Sequence, residues 1–154
     1  MNKIDLRDDW SKFLSQYPWQ WFCTLTFRTS PHPEAAFKTF RHFINLINRK
    51  RYGSRAQKKG LSVHWALALE YHKSGVIHFH ALIGDNEDLN GNVSRIWASG
   101  TWHELAGFNL IDPIDDKLLA VTNYVSKYIS KGGEIELSDN LNDFKLQYSG
   151  LTKK

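Results

Sequence analysis

Apolar and polar positions alternate most regularly between Leu61 and Ile83, on either side of a short break at Lys73-Ser74-Gly75. Period-two patterning of this kind marks half-buried strands, and the break marks a hairpin. Directly opposed residues of an antiparallel pair share a face, so the pattern also tests the register. A three-residue loop with Gly75 in the left-handed position sets Tyr71 opposite Ile77, Leu69 opposite Phe79, Leu67 opposite Ala81 and Trp65 opposite Ile83, and every pair is apolar. The other face then carries Glu70 opposite His78 and Ala68 opposite His80. A two-residue loop mixes the faces by pairing Glu70 with Phe79, so the three-residue loop is the expected one.

The remaining pattern predicts a short helix over 6–16, a strand over 19–28, and a helix over 34–52 whose apolar face is Phe37, Phe40, Phe43, Ile44 and Ile47. After the hairpin come a polar loop from Asp85 to Asn92 and a short helix over 93–99. Strands are expected over Thr101 to Leu105 and Phe108 to Ile114, separated by a turn at Gly107. A last helix starts at Asp115-Asp116. It carries Leu118, Val121, Thr122, Val125 and Ile129 at helical spacing, ends in lysines, and stops at Gly132-Gly133. Alternating helices and strands with one clear hairpin predict an α+β fold, helices packed on an antiparallel sheet. Residues 1–133 read as one domain, and 134–154 as a polar tail or the start of a linker.

Length and composition limit this picture without changing it. The 154 residues are 42% hydrophobic, with six Trp, nine Phe and six Tyr, which is enough for one well-filled core and argues against overall disorder. The net charge of +4 favours a polyanionic partner. Much of that charge lies in Arg49-Lys50-Arg51-Tyr52-Gly53-Ser54-Arg55-Ala56-Gln57-Lys58-Lys59, read as a loop that contacts a nucleic-acid backbone in preference to a solvated linker. One cysteine, Cys23, forbids an intrachain disulfide and fits a reducing compartment, so the expected location is the cytoplasm, or the nucleus in a eukaryotic host. No membrane span or signal-peptide core is expected.

Two constellations carry chemistry. Residues two apart on a strand aim their side chains the same way, so His78 and His80, with Glu70 across the hairpin, form a candidate metal site. Two nitrogens and one oxygen leave coordination positions open, as a catalytic ion requires. Mn²⁺ suits the donors, Mg²⁺ could occupy the site at cellular abundance, and Zn²⁺ is a further option. The bland alternative is a pair of hydrogen-bonded strand histidines. The second constellation is Tyr124 and Tyr128, four apart on the last helix and expected beside its apolar stripe, with Lys127 and Lys131 further round the same flank. A phenol beside a cation can attack phosphorus and keep the phosphodiester's energy in a phosphotyrosine.

Three motifs in order, the apolar strand Phe22-Cys23-Thr24-Leu25-Thr26-Phe27, the pair His78-Phe79-His80, and the helix Tyr124-Val125-Ser126-Lys127-Tyr128-Ile129-Ser130-Lys131, resemble those of the HUH endonuclease family of rolling-circle replication initiators. The last is most similar to the two-tyrosine branch that includes microvirus gene A proteins. The resemblance implies a five-stranded ferredoxin-like or RRM-like sheet with the tyrosine helix against its metal-bearing face. It also implies nicking of single-stranded DNA at an origin or origin hairpin, a 5′-phosphotyrosine and strand transfer. By it, His78 and His80 are metal ligands, Tyr124 and Tyr128 are nucleophile candidates, and Lys127 and Lys131 are phosphate or metal-water partners. Glu70 matches the family's acidic ligand in approximate position only and rests mainly on the register. A host helicase and polymerase are the implied further partners, since no Gly-x-x-x-x-Gly-Lys-Ser/Thr loop is present.

Rival readings are a single-stranded nucleic-acid binding module without catalysis, and a transposase or relaxase of the same family. Leu82 stands where a histidine-triad hydrolase needs its third histidine, and no second His-x-Ser/Thr unit supports a two-histidine phosphoesterase. Of the other histidines, His72 is expected near the site and His64 too far along its strand. His32, His42 and His103 are expected in surface or core positions. Trp97 and Trp102 are expected in the core, with base stacking as the alternative, and Asn123 is polar support at most.

Overall fold

The computed structural model describes residues 3–129 and 135–141, with side chains from residue 7 onward. Its elements in chain order are α1 (Lys3–Leu14), β1 (Trp21–Leu25), α2 (Pro33–Tyr52), β2 (His64–Tyr71), β3 (Ile77–Gly84), α3 (Leu89–Asn92), α4 (Arg95–Leu105), β4 (Asn109–Pro113) and α5 (Lys117–Tyr124). A π-helical turn over Val125–Ile129 continues α5, and a strand β5 (Ile135–Leu137) and a 3₁₀ turn over Asp139–Leu141 follow. The five strands form one antiparallel sheet in the order β4-β1-β3-β2-β5. This is the expected α+β architecture.

The hairpin pairs as its alternation dictates. Glu70 lies opposite His78, Ala68 opposite His80, Leu69 opposite Phe79 and Tyr71 opposite Ile77. Gly75 closes the loop at φ +86°, a left-handed angle that costs glycine nothing, and its N–H donates to the His72 carbonyl at 2.8 Å. Because β3 is the central strand, its two faces divide the molecule. Ile77, Phe79, Ala81 and Ile83 point into a core closed by α2 and α4, where Phe40, Phe43, Trp65 and Trp102 are also buried. Leu82, Ala66 and Ala68 point the other way, into a core closed by α1, α5 and the π turn, with Trp10, Phe13, Val121 and Tyr124.

Several boundaries differ from the sequence expectation, each for a local reason. Thr101 to Leu105, expected as a strand, is the second half of α4. Ser94 caps that helix by accepting from the Trp97 N–H, and continuing it buries Trp102, which outweighs the β preference of Thr101 and Trp102. Ile135–Leu137, inside the stretch read as tail, adds β5 to the free edge of β2. Leu118, Leu119 and Thr122 are exposed, so the buried side of α5 is Val121 with Tyr124 and not the stripe expected from a straight helix. Gly132-Gly133, expected as the stop, lie outside the described residues. Trp97 packs against the first core beneath the Lys50 ammonium and Trp102 is buried in it, which settles both as core residues.

The basic run is partly occupied by the fold. Arg51 pairs with Asp85 at 2.8 Å and Glu87 at 2.9 Å, and the Tyr52 hydroxyl donates to the other Asp85 oxygen at 2.5 Å. Gln20 closes the network by bonding both backbone groups of Asp85. Burial and the Asp85 bond push the Tyr52 phenol up to about 12. This knot ties the end of α2 to the end of β3, while Arg49, Arg55, Lys58 and Lys59 stay exposed.

Candidate active site

The site grows out of one register and one irregular turn. On the face of the sheet opposite α2, the row running through His80 is Leu110, Thr24, His80, Ala68 and Ile135, each opposed to the next. Ala68 is small, which leaves room beside the imidazole. His80 is buried, its Nε2 lies 3.1 Å from Glu70 Oε1, and its Nδ1 is buried without a hydrogen-bond partner. His78, across from Glu70, is half-buried, and its ring centroid lies 5.1 Å from that of His72. Burial holds the His80 pKa below its usual value even though the Glu70 contact pulls the other way, so the ring is neutral and able to ligate. Among the described residues no group of three or more His, Cys, Asp or Glu side chains is already drawn together as a closed cation cage.

The two tyrosines occupy different environments. Tyr124 is fully buried, and its hydroxyl donates to the backbone oxygens of His80 at 2.8 Å and Ala66 at 3.2 Å. Its ring therefore belongs to the core, contrary to the expectation that core packing leaves it unexplained. Alanines at 66 and 68 make the space for it. Tyr128 is half-buried and lies parallel on the His80 ring, with centroids 4.0 Å apart and planes 10° apart. The π turn sets this relation. Its wider winding departs from the 100° step of an α-helix, and such turns recur at functional sites. Burial first, then the Glu70 carboxylate, push the Tyr128 phenol above its ordinary value.

Lys127 is exposed one residue away from that ring, while Lys131, the other candidate lysine, lies outside the described residues. Cys23 is buried beneath the sheet; burial and Asp112 push its thiol up, which leaves it inert. His64 is buried against the Pro18 carbonyl, away from the cluster, as its place along β2 implies. His32 caps α2, and His42 and His103 are exposed.

The ORF2-type family of replication-associated proteins matches residues 20–133, the span from β1 to just past the π turn. The chain belongs to that family. It is a replication-associated protein of the rolling-circle Rep type, which agrees with the resemblance drawn from the three motifs. The match covers the sheet from β4 to β2 and every candidate site residue. No curated protein matches the chain as a relative. Among the described residues no helix is long and apolar enough to cross a membrane.

Sequence reasoning did not single out the wall of side chains beside Tyr128. Phe22, Ile114, Leu119 and Asn123 border a cavity of about 410 Å³ that opens next to the Tyr128 ring. The one sequence signal for it is the pair of exposed leucines at 118 and 119, apolar side chains left uncovered on the same side of the sheet as the histidines.

Proposed function

We propose that this replication-associated protein nicks single-stranded DNA and transfers the cut strand, with Tyr128 as the nucleophile, and that it initiates rolling-circle replication in this way. The stack of Tyr128 on His80 carries the reading, because it sets a partly exposed phenol beside the imidazole that shares a strand face with His78 and a carboxylate contact with Glu70. Glu70, His78 and His80 would hold a divalent ion, Mn²⁺ or Mg²⁺. Two imidazoles and a carboxylate suit such an ion, and His80 has a buried ring nitrogen free for a ligand. When bound, the ion supplies positive charge that polarises the scissile phosphate.

The chain's own groups do the rest. Tyr128 Oη attacks phosphorus, the new O–P bond forms as the bond to the 3′ oxygen breaks, and the phenolic proton is lost to solvent. The leaving oxygen takes up a proton and departs as a 3′ hydroxyl, and the 5′ side stays on Tyr128 as a phosphotyrosine. A second 3′ hydroxyl reverses the step and reseals the strand. Lys127, joined by Lys131, offsets phosphate charge. Stacking on His80 fixes the phenol's direction, which replaces orientational freedom that would otherwise slow the attack.

The tandem tyrosines resemble the two-tyrosine branch of the family, but in this reading they are unequal. Tyr124 uses its hydroxyl to hold the backbone of the His80 strand, so it is a positioning residue and Tyr128 reacts. A host helicase and polymerase would supply unwinding and synthesis. Incubating the protein with a library of single-stranded oligonucleotides, with Mn²⁺ or with chelator, tests the reading. Covalent protein–DNA adducts that need the metal are expected; binding with no adduct under either condition would leave only the non-catalytic binding module.

A further inference from the structure

Beside Tyr128 lies the one feature of this face that the nicking reading does not use. The cavity of about 410 Å³ has Phe22, Ile114 and Leu119 as apolar walls, and Tyr128 closes one side of it. Its volume falls in the range of small-ligand pockets, roughly 300–1,000 Å³. The rim is acidic and carries the exposed carboxylates of Asp112 and Asp115, with the Asn123 amide nearby. Asp116 is also on the rim, but it is engaged in capping α5 through the Leu119 N–H.

That combination selects its occupant. Carboxylates offer only acceptors and repel phosphate, so the sugar-phosphate backbone is unsuited to the rim while a flat, uncharged, donor-bearing group suits both walls and rim. Lys127 lies at the same cavity, next to the nucleophile, and supplies the positive end. A strand entering with a phosphate at Lys127 and Tyr128 would turn a neighbouring base into the cavity.

We propose that this cavity receives one nucleobase flanking the scissile phosphate, and that its carboxylate rim favours bases bearing an exocyclic amino group, adenine, cytosine or guanine, over thymine. Carboxylates accept from base amino groups, and thymine has none. The inference rests on the nicking reading for the position of the phosphate, and it makes the cavity the reader of one base of the nick site.

Selection of single-stranded oligonucleotides from a randomised pool by the Tyr128→Phe protein, followed by sequencing, tests it by binding alone. Among the bound strands one position should be depleted in thymine by about tenfold, the scale of a single good base contact. In Leu119→Trp, which fills the cavity from an exposed position, and in Asp112→Asn/Asp115→Asn, which removes the rim charge, the depletion at that position should vanish while preferences elsewhere persist. A pool with no discriminating position, or discrimination unchanged in both variants, overturns the cavity assignment. Adduct formation by the wild-type protein on the selected strands is scored separately. Selective binding with no adduct would sink the nicking reading and leave the base pocket standing, and adducts with no base selection would do the reverse.

Discussion

On the face of the sheet covered by α2 and α4, β3 presents Ile77, Phe79, Ala81 and Ile83, and aromatic rings from other elements lock against them. On the opposite face the same strand presents His78, His80 and Leu82, and the cover is incomplete: α1, α5 and the π turn bury Leu82 and Tyr124 but leave Tyr128 and His78 half-exposed. One strand thus serves stability with its odd positions and chemistry with two of its even ones. The comparison teaches that alternation separates the two roles so completely that a change on one face should leave the other almost untouched. The largest test of this separation is Tyr128→Phe, which should abolish DNA adducts, a loss of roughly 10³-fold or more in nicking rate, while the midpoint of urea unfolding stays where it was.

The converse change sits one residue from the histidines. Phe79→Ala empties the centre of the other face and should cost about 3–5 kcal/mol of folding free energy, read from denaturant unfolding, and the protein that remains folded should still form adducts. Tyr124→Phe lies between the two, since its ring is core and its hydroxyl holds the His80 carbonyl. It should lower stability by about 1 kcal/mol and weaken adduct formation without removing it. Loss of adducts equal to that in Tyr128→Phe would break the distinction drawn between the tyrosines.

The smallest effect is a pH dependence from the far end of β2. Burial holds the His64 pKa below its ordinary value of about 6.5. Above that pH both folded and unfolded chains carry a neutral ring, and His64 makes no slope. As pH falls through about 6.5 the unfolded chain takes the proton first, so stability declines until the native ring is protonated too. The acid-side decline should be shallower in His64→Gln, whose amide can still donate to the Pro18 carbonyl.

Much of the fold and the first half of the site was legible because β-pairing has a parity. Once Gly75 fixed the loop, the apolar pairs Tyr71–Ile77 and Leu69–Phe79 admitted one register, and Glu70, His78 and His80 followed as a group. The helices α2 and α5 announced themselves by caps and period. What was not legible depended on neighbours distant in sequence. Tyr124 entered the core because Ala66 and Ala68, on another strand, leave a space for its ring. Tyr128 reached His80 because the helix widens into a π turn, which a 100° helical projection does not contain. The helical fate of Thr101 to Leu105 was decided by the burial of Trp102 against Phe43 and Phe27, and β5 by the free edge of β2. Each is a case of tertiary packing overriding a local preference.

The central claim is that the phenol stacked on His80, and not the buried one a turn earlier, takes the DNA. Digesting a metal-dependent adduct and locating the modified residue by tandem mass spectrometry decides it directly. The account predicts a nucleotide remnant on Tyr128 alone; a remnant on Tyr124, or adducts that persist in Tyr128→Phe, would contradict it.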